Sequence, residues 1–367
     1  MNIKIITYHA VLNYGAVLQA YALQRYLSNI GNEVAIIDFR RNEDEKAYNI
    51  LKVPRNIKEG IKLLLNLKYY RQLNSRKKRF TAFLQDNVAL TNRYTWLQDF
   101  EKDPLQADIF ISGSDQVWNC SNGIIPEFFL DFDVDTAKRI SYGASIGVDS
   151  IPEKYRKIVR QKLSRFDTIS VREDDAQKIL KTEIGLEAKV VCDPVLLLDR
   201  KVWESFIQPK AYIKEKYILC YSLLSNEEVQ RCINKVKSKL NYPVYIISGN
   251  GYVGLHGDNV IRNAGPIEFL NWIYYAEYVI CCSFHGTVFS SIFNKNFVSV
   301  IDCNKPSRVM GFLKNIGLSD HIYSEDFNVV AENNMNADSM EYKLKKLHNS
   351  GVEFLEGIME ESDYRKE

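Results

Sequence analysis

The chain has 367 residues, more than one average domain holds and comfortable for two of similar size. Hydrophobic residues make up 46% and charged residues 26%, an ordinary globular balance. Lys+Arg 48 against Asp+Glu 46 leaves a net charge of +2, so no global field selects nucleic acid as a partner, and anion binding has to come from local Arg and His.

The seven Cys form no C-x-x-C pair and no ligand ladder with the five His, and most sit in apolar runs such as Y-V-I-C-C-S. That usage predicts reduced, buried thiols, with neither a disulfide framework nor a structural zinc. The N-terminal M-N-I-K-I-I-T-Y-H is too short an apolar stretch for a signal peptide, and no run approaches the roughly 20 apolar residues of a membrane span. The expected compartment is the cytoplasm.

Short apolar runs alternate with longer amphipathic ones, the pattern of β/α units around parallel sheets. Ile3 to Thr7 predicts a strand, Asn13-Tyr14-Gly15 a turn, Ala16 to Asn29 a helix closed by Gly31, and Glu33 to Asp38 a second strand. The stretch from about Asn42 to Asp103 is rich in Lys, Arg, Leu and Tyr at helical spacing and is expected to be a helical insertion. Strands resume at Ala107–Ser112, Arg139–Ala144, Thr168–Arg172 and Ala188–Cys192, with a helix at Glu153–Phe166. Asp193-Pro194 marks a crossover. A second series follows, with strands at Lys216–Leu223, Tyr242–Ser248, Tyr278–Cys282 and Phe297–Asp302. Its helices are expected at Asn226–Leu240, Pro266–Ala276, His285–Phe293 and Ser307–Ile316, with a charged amphipathic helix from about Ser339 to Ser362. The expected fold is α/β: a Rossmann-like domain over residues 1–200 and another over 201–367, facing a cleft. In open α/β sheets ligands bind beyond the carboxyl ends of the strands, so the residues just after each strand carry the candidate chemistry.

Five motifs fall there. Ser283-Phe284-His285-Gly286-Thr287 opens a helix after a strand, where free N–H groups and the helix dipole favour a phosphate or carboxylate. Gly286 allows close approach to the backbone, and His285 can donate a proton; the plainer reading is a Ser283 cap and a satisfied histidine. Arg172, ending Ile169-Ser170-Val171, can hold an anion bidentately, or pair with Glu173 or Asp174. Gly113-Ser114-Asp115-Gln116-Val117-Trp118-Asn119 offers Asp115, Gln116 and Asn119 to sugar hydroxyls, with Trp118 read as a core plug. Asn13, Gly15 and Gln19 follow the first strand but lack the G-x-G-x-x-G dinucleotide spacing. Lys305 and Arg308 add two cations, whose default is a solvated surface. The run from Tyr69 through Arg79 reads as a solvated basic helix face, or as a contact with an anionic membrane.

The ordered set N-Y-G-A-x-L-Q-x-Y-A-L, G-S-D-Q-V-W-N, Y-G-A-S-I-G, S-V-R-E, D-P-V-L-L-L, P-x-E-F-L, S-F-H-G-T-V-F-S and S-R-V resembles the polysaccharide pyruvyl transferase family, from Asn13 to about Leu318. The resemblance implies a fold similar to GT-B glycosyltransferases and a pyruvate ketal formed on a sugar from phosphoenolpyruvate. It places His285 as general acid, with Arg172, Arg308, Lys305, Ser283, Gly286 and Thr287 on the donor. Asp115 is the expected base, and Asn13, Gly15, Gln19, Gln116 and Asn119 face the acceptor. The scheme needs no metal and no cofactor besides the donor. Its partners are phosphoenolpyruvate and a sugar acceptor, which a lipid carrier can present at the inner face of a membrane. The alternatives are a nucleotide-sugar glycosyltransferase on the same architecture and a carbohydrate-binding module without catalysis.

Overall fold

A computed structural model describes residues 1–51, 56–134, 136–224, 226–248, 254–302, 307–329 and 337–363. The elements before residue 200 are β1 (Asn2–Ile6), α1 (Tyr14–Asn29), β2 (Glu33–Phe39), α2 (Asn42–Ala47), α3 (Ile57–Lys68), α4 (Tyr70–Asn87), β3 (Leu90–Tyr94), α5 (Leu97–Lys102), β4 (Ile109–Ser112), β5 (Lys138–Ser141), α6 (Glu153–Leu163), β6 (Ser170–Val171), α7 (Asp174–Ile179) and β7 (Lys189–Val190). After it come α8 (Arg200–Glu204), β8 (Ile218–Ser222), α9 (Glu227–Leu240), β9 (Val244–Ser248), β10 (Asn259–Ile261), α10 (Pro266–Tyr275), β11 (Tyr278–Cys282), α11 (Phe284–Ile292), β12 (Asn296–Ser299), α12 (Ser307–Ile316) and α13 (Ala337–Asp363).

Two five-stranded sheets carry the fold, in the orders β3-β2-β1-β4-β5 and β10-β9-β8-β11-β12. All their pairings are parallel. Renumbered within its own half, each sheet runs 3-2-1-4-5, so strand order reverses beside the first strand, between β1 and β4 and between β8 and β11. Those are the switch points at which doubly wound sheets open a crevice. A short parallel pair, β6–β7, adjoins β5 through bridges from Ile140 to Thr168 and from Ala144 to Val171. The strands read as near-continuous apolar runs because helices cover both faces: Ile3, Ile5, Val279 and Ile280 are wholly buried. Side-chain caps start the helices that matter most here, with Asn13 Oδ1 accepting from Ala16 N at 3.3 Å and Ser283 Oγ from Gly286 N at 3.0 Å.

The structure departs from expectation in three places. The expected helical insertion contains an edge strand, β3, paired with β2, and a second short edge strand, β10, pairs with β9. The tail, expected to belong to the second half, meets that half at Gly317, where Lys343 lies, and also reaches the first. Gly351 of α13 sits against Tyr142, Cys192 and Leu197, and Phe354 meets Tyr142 at 6.1 Å between ring centroids. The basic run on α4 is not wholly solvated. Arg76 is 3% exposed and lies over Tyr14 and Phe80 while donating to Leu12 O, and Arg79 donates to Asn263 O. The expectation treated these as surface charges because a sequence does not show which side of a helix meets a neighbouring lobe.

The two halves share a core. One hydrophobic cluster runs from Ile3 and Val17 to Phe269 and Phe289. At its centre Tyr14 stacks on Phe269 at 4.5 Å, and its hydroxyl donates to Ala264 O.

Candidate active site

The two switch points face one another across a cleft of about 270 Å³, and the polar groups converging on it come from both halves. From the first half come Asn13 at the start of α1 and Asp115 and Gln116 just beyond β4; from the second come Ser283 and His285 at the start of α11 and Arg308 near the start of α12.

His285 occupies the second position of α11, so its backbone N–H and that of Phe284 have no acceptor within the helix. Its ring crosses to the other half. A Cβ on Gly15 would lie 1.9 Å from His285 Nδ1, so only glycine leaves room for the imidazole. His285 Nε2 lies 3.3 Å from Asp193 Oδ2. The same oxygen accepts from Arg172 Nη1 at 2.6 Å, while Asp193 Oδ1 accepts from Val195 N. Burial alone would raise the Asp193 carboxyl, but His285 and Arg172 beside it hold it well below the usual carboxylate range. Asp193 is therefore a fixed anion that neutralises the arginine and lies within ion-pair distance of His285 Nε2, which is buried with no hydrogen-bond partner among the described residues.

Arg172 is 7% exposed, stacks over Phe284 at 4.8 Å, and also donates through Nε to Glu173. Burial works against its charge, yet Glu173 and Asp193 outweigh that and raise its pKa. Its Nη2 is buried without a hydrogen-bond partner among the described residues.

Arg308 is held differently. Among the described residues no carboxylate lies within ion-pair distance of it. One end of the Gln116 amide lies 3.1 and 3.2 Å from its two Nη atoms and the other 2.9 Å from Asn119 Nδ2; with the oxygen turned to the guanidinium it accepts from both Nη atoms. Burial, followed by repulsion from Arg172, lowers the Arg308 pKa even with Glu173, Asp115 and Asp193 nearby. This cation gains from any anion entering the cleft.

Asp115 has φ +71°, a left-handed backbone uncommon outside glycine, and its Oδ1 accepts from Gln116 N at 2.9 Å. It lines the cleft and braces its own turn, the two roles between which sequence left it.

Other expected residues fall behind the surface. Gln19 is wholly buried and its amide donates to Thr7 Oγ1, Tyr8 O and Ala16 O, bracing β1 to α1. Thr287 is also wholly buried, bonded to Ser283 O and Ser299 Oγ. Neither side chain lines the cleft. Gly286 admits the Tyr221 ring, which would be 2.9 Å from a Cβ there. Trp118 is the expected core plug, 2% exposed against Phe129. Lys305 lies outside the described residues. Asp193 is the residue that sequence reasoning missed. Asp193-Pro194 reads as a crossover, although its position directly after the strand ending in Cys192 was the signal available.

A doubly wound pair of lobes with a histidine, an arginine and a helix start lining the crevice places this chain among parallel-sheet α/β proteins with a cleft between their lobes. A sequence profile of the family described as polysaccharide pyruvyl transferase matches residues 13–304, and the chain belongs to that family. No curated protein matches it. Among solved structures, an α-glucosyltransferase bound to UDP and a 13-mer DNA aligns with TM-score 0.50 at 9% identity, over 96% of this chain and 94% of the other. An E. coli trehalose-6-phosphate structure with UDP-2-fluoro glucose aligns with TM-score 0.49 at 8% identity, covering 96% of each chain. UDP-GlcNAc 2-epimerase from Neisseria meningitidis gives TM-score 0.46 at 11% identity, over 98% of this chain and 100% of the other. The fold is mixed α/β with parallel sheets, of the GT-B kind.

Proposed function

We propose that the chain transfers a pyruvyl unit from phosphoenolpyruvate to two hydroxyls of a saccharide, forming a ketal and releasing phosphate. The observation that carries this reading is Arg308, half-buried in the cleft with no carboxylate paired to it among the described residues, in the same cleft as His285 and near the orphaned Nη2 of Arg172. Phosphoenolpyruvate carries its carboxylate and its phosphate ester on one carbon, C2. Arg308 and the first-turn N–H groups of α11 suit one of these anions, and Arg172 Nη2 suits the other.

The reaction then needs a proton delivered to the methylene carbon as the first sugar hydroxyl adds to C2. We assign that proton to His285, whose Nε2 lies 3.3 Å from the Asp193 carboxylate. The first hydroxyl surrenders its proton, and Asp115 is the carboxylate on the acceptor side of the cleft able to take it. The phosphate leaves with the C2–O electron pair. The second hydroxyl then adds at C2 and its proton goes to the departing phosphate, which closes the ketal.

Calorimetric titration of the purified chain with phosphoenolpyruvate, and in parallel with a panel of UDP-sugars, tests the reading. Phosphoenolpyruvate is expected to bind, and Arg308→Ala to weaken it by about tenfold or more. Binding of a UDP-sugar alone would replace the pyruvyl transfer reading with a glycosyl transfer one.

A further inference from the structure

Helix α3 carries apolar side chains on a face that no described residue covers. Ile57 is 84% exposed, Ile61 55%, Leu64 68% and Leu67 52%, at i, i+4, i+7 and i+10, so they form one continuous stripe. Leu63 and Leu65, half-buried, flank the stripe on either side, and Asn66 on the opposite face donates through Nδ2 to Ile50 O. Helix α3 thus turns its apolar stripe outward, which a water-facing helix does not.

Its surroundings are cationic. Residues 57–79 contain eight Lys or Arg and one acid, Glu59. Arg76 and Arg79 are turned inward onto carbonyls, which leaves Lys68, Arg71, Lys77 and Lys78 exposed around the stripe.

We infer that α3 is a docking helix for an anionic bilayer surface, with Ile57, Ile61, Leu64 and Leu67 entering the acyl boundary and the flanking cations meeting lipid phosphates. The charge decides between a membrane and a second copy of the chain. A symmetric dimer through this face would set the same cations against each other, while an anionic surface neutralises them. The placement also has a use. Tyr69, at the α3–α4 junction, lies under the Arg262 guanidinium at 3.8 Å, and Arg76, about 10 Å further along by helix rise, reaches the loop ahead of α1. A docked α3 holds the cleft close to the headgroups, where a saccharide on a lipid carrier would present its hydroxyls.

The test is co-sedimentation of the full chain with vesicles of phosphatidylcholine alone or with about a third phosphatidylglycerol. Binding to the anionic vesicles, reduced by salt and weakened about tenfold or more in I61E/L64E, is the expected result. K77E/K78E is expected to lower binding without touching the apolar stripe. A wild-type chain that stays in the supernatant with anionic vesicles would overturn the inference. So would I61E/L64E binding as wild type does, or light scattering that shows a dimer which I61E/L64E splits. Phosphoenolpyruvate titration of the same samples separates failure here from failure of the pyruvyl transfer reading.

Discussion

A methyl group added at Gly15 would occupy space held by the His285 ring. Gly15→Ala should therefore push the imidazole off line and lower turnover by about 10²-fold while leaving phosphoenolpyruvate affinity nearly unchanged. His285→Ala should cost about 10²–10⁴ in turnover, again with a modest change in binding. Phosphate release under saturating donor measures both, and a Gly15→Ala enzyme at wild-type rate would separate the histidine from the chemistry. Asp193 makes a different prediction, about stability. Its folded pKa is depressed by His285 and Arg172, so its contribution is fully present above about pH 4, the unfolded carboxylate value, and is lost as pH falls below that. Asp193→Asn should cost about 3 kcal/mol at neutral pH, because the Arg172 charge stays buried with one partner fewer. The gap between variant and wild type in urea midpoint should shrink as the pH drops through and below 4. Much of this cleft was legible because strand-end positions are readable: Asn13, Asp115, Arg172, Ser283 and His285 all follow apolar runs. Asp193 was not, since only the folded chain shows Arg172 and His285 meeting on one carboxylate. Gln19 and Thr287 lie behind the cleft for a related reason: each finds partners beneath its helix, Gln19 at Thr7 after the preceding strand and Thr287 at Ser299 on the neighbouring strand β12.

The α3–α4 hairpin joins the two lobes on one side of the cleft, and Arg76 is its tie. Replacing Arg76 by Ala removes charged hydrogen bonding to Leu12 O and the stacking over Tyr14 and Phe80, and should lower stability by about 2 kcal/mol in a urea titration. A neutral result would mean that the aromatic contacts around it hold the hairpin alone. Elements with long apolar runs, such as β1, β4, β8 and β11, were evident from sequence because a strand buried on both faces carries no competing pattern. The strand β3, Leu-Thr-Asn-Arg-Tyr, is a polar edge strand after a long helix, and β10 has three residues, so neither offers periodicity to read. The docking of α13 on the first half was invisible for another reason. An amphipathic helix announces that it has a buried face, and the identity of the surface it covers is a tertiary fact.

At the scale of the molecule, the duplicated strand order does most to explain the site. Each sheet brings its own reversal point, and the polar groups lining the cleft come in complementary parts, with Asn13, Asp115 and Gln116 from one half and His285 and Arg308 from the other. Neither half holds a complete set.

The core shared by the lobes has a thermal consequence. Tyr14 stacked on Phe269, and α13 returning to cover Tyr142 and Cys192, leave no boundary along which one lobe could melt while its neighbour persists. Scanning calorimetry should record a single heat-absorption peak whose calorimetric and van't Hoff enthalpies agree, in place of the two transitions of separable domains. Two peaks would show that the lobes are merely neighbours. One peak would mean that a destabilising change far out in either lobe is felt across the whole molecule, its catalytic cleft included.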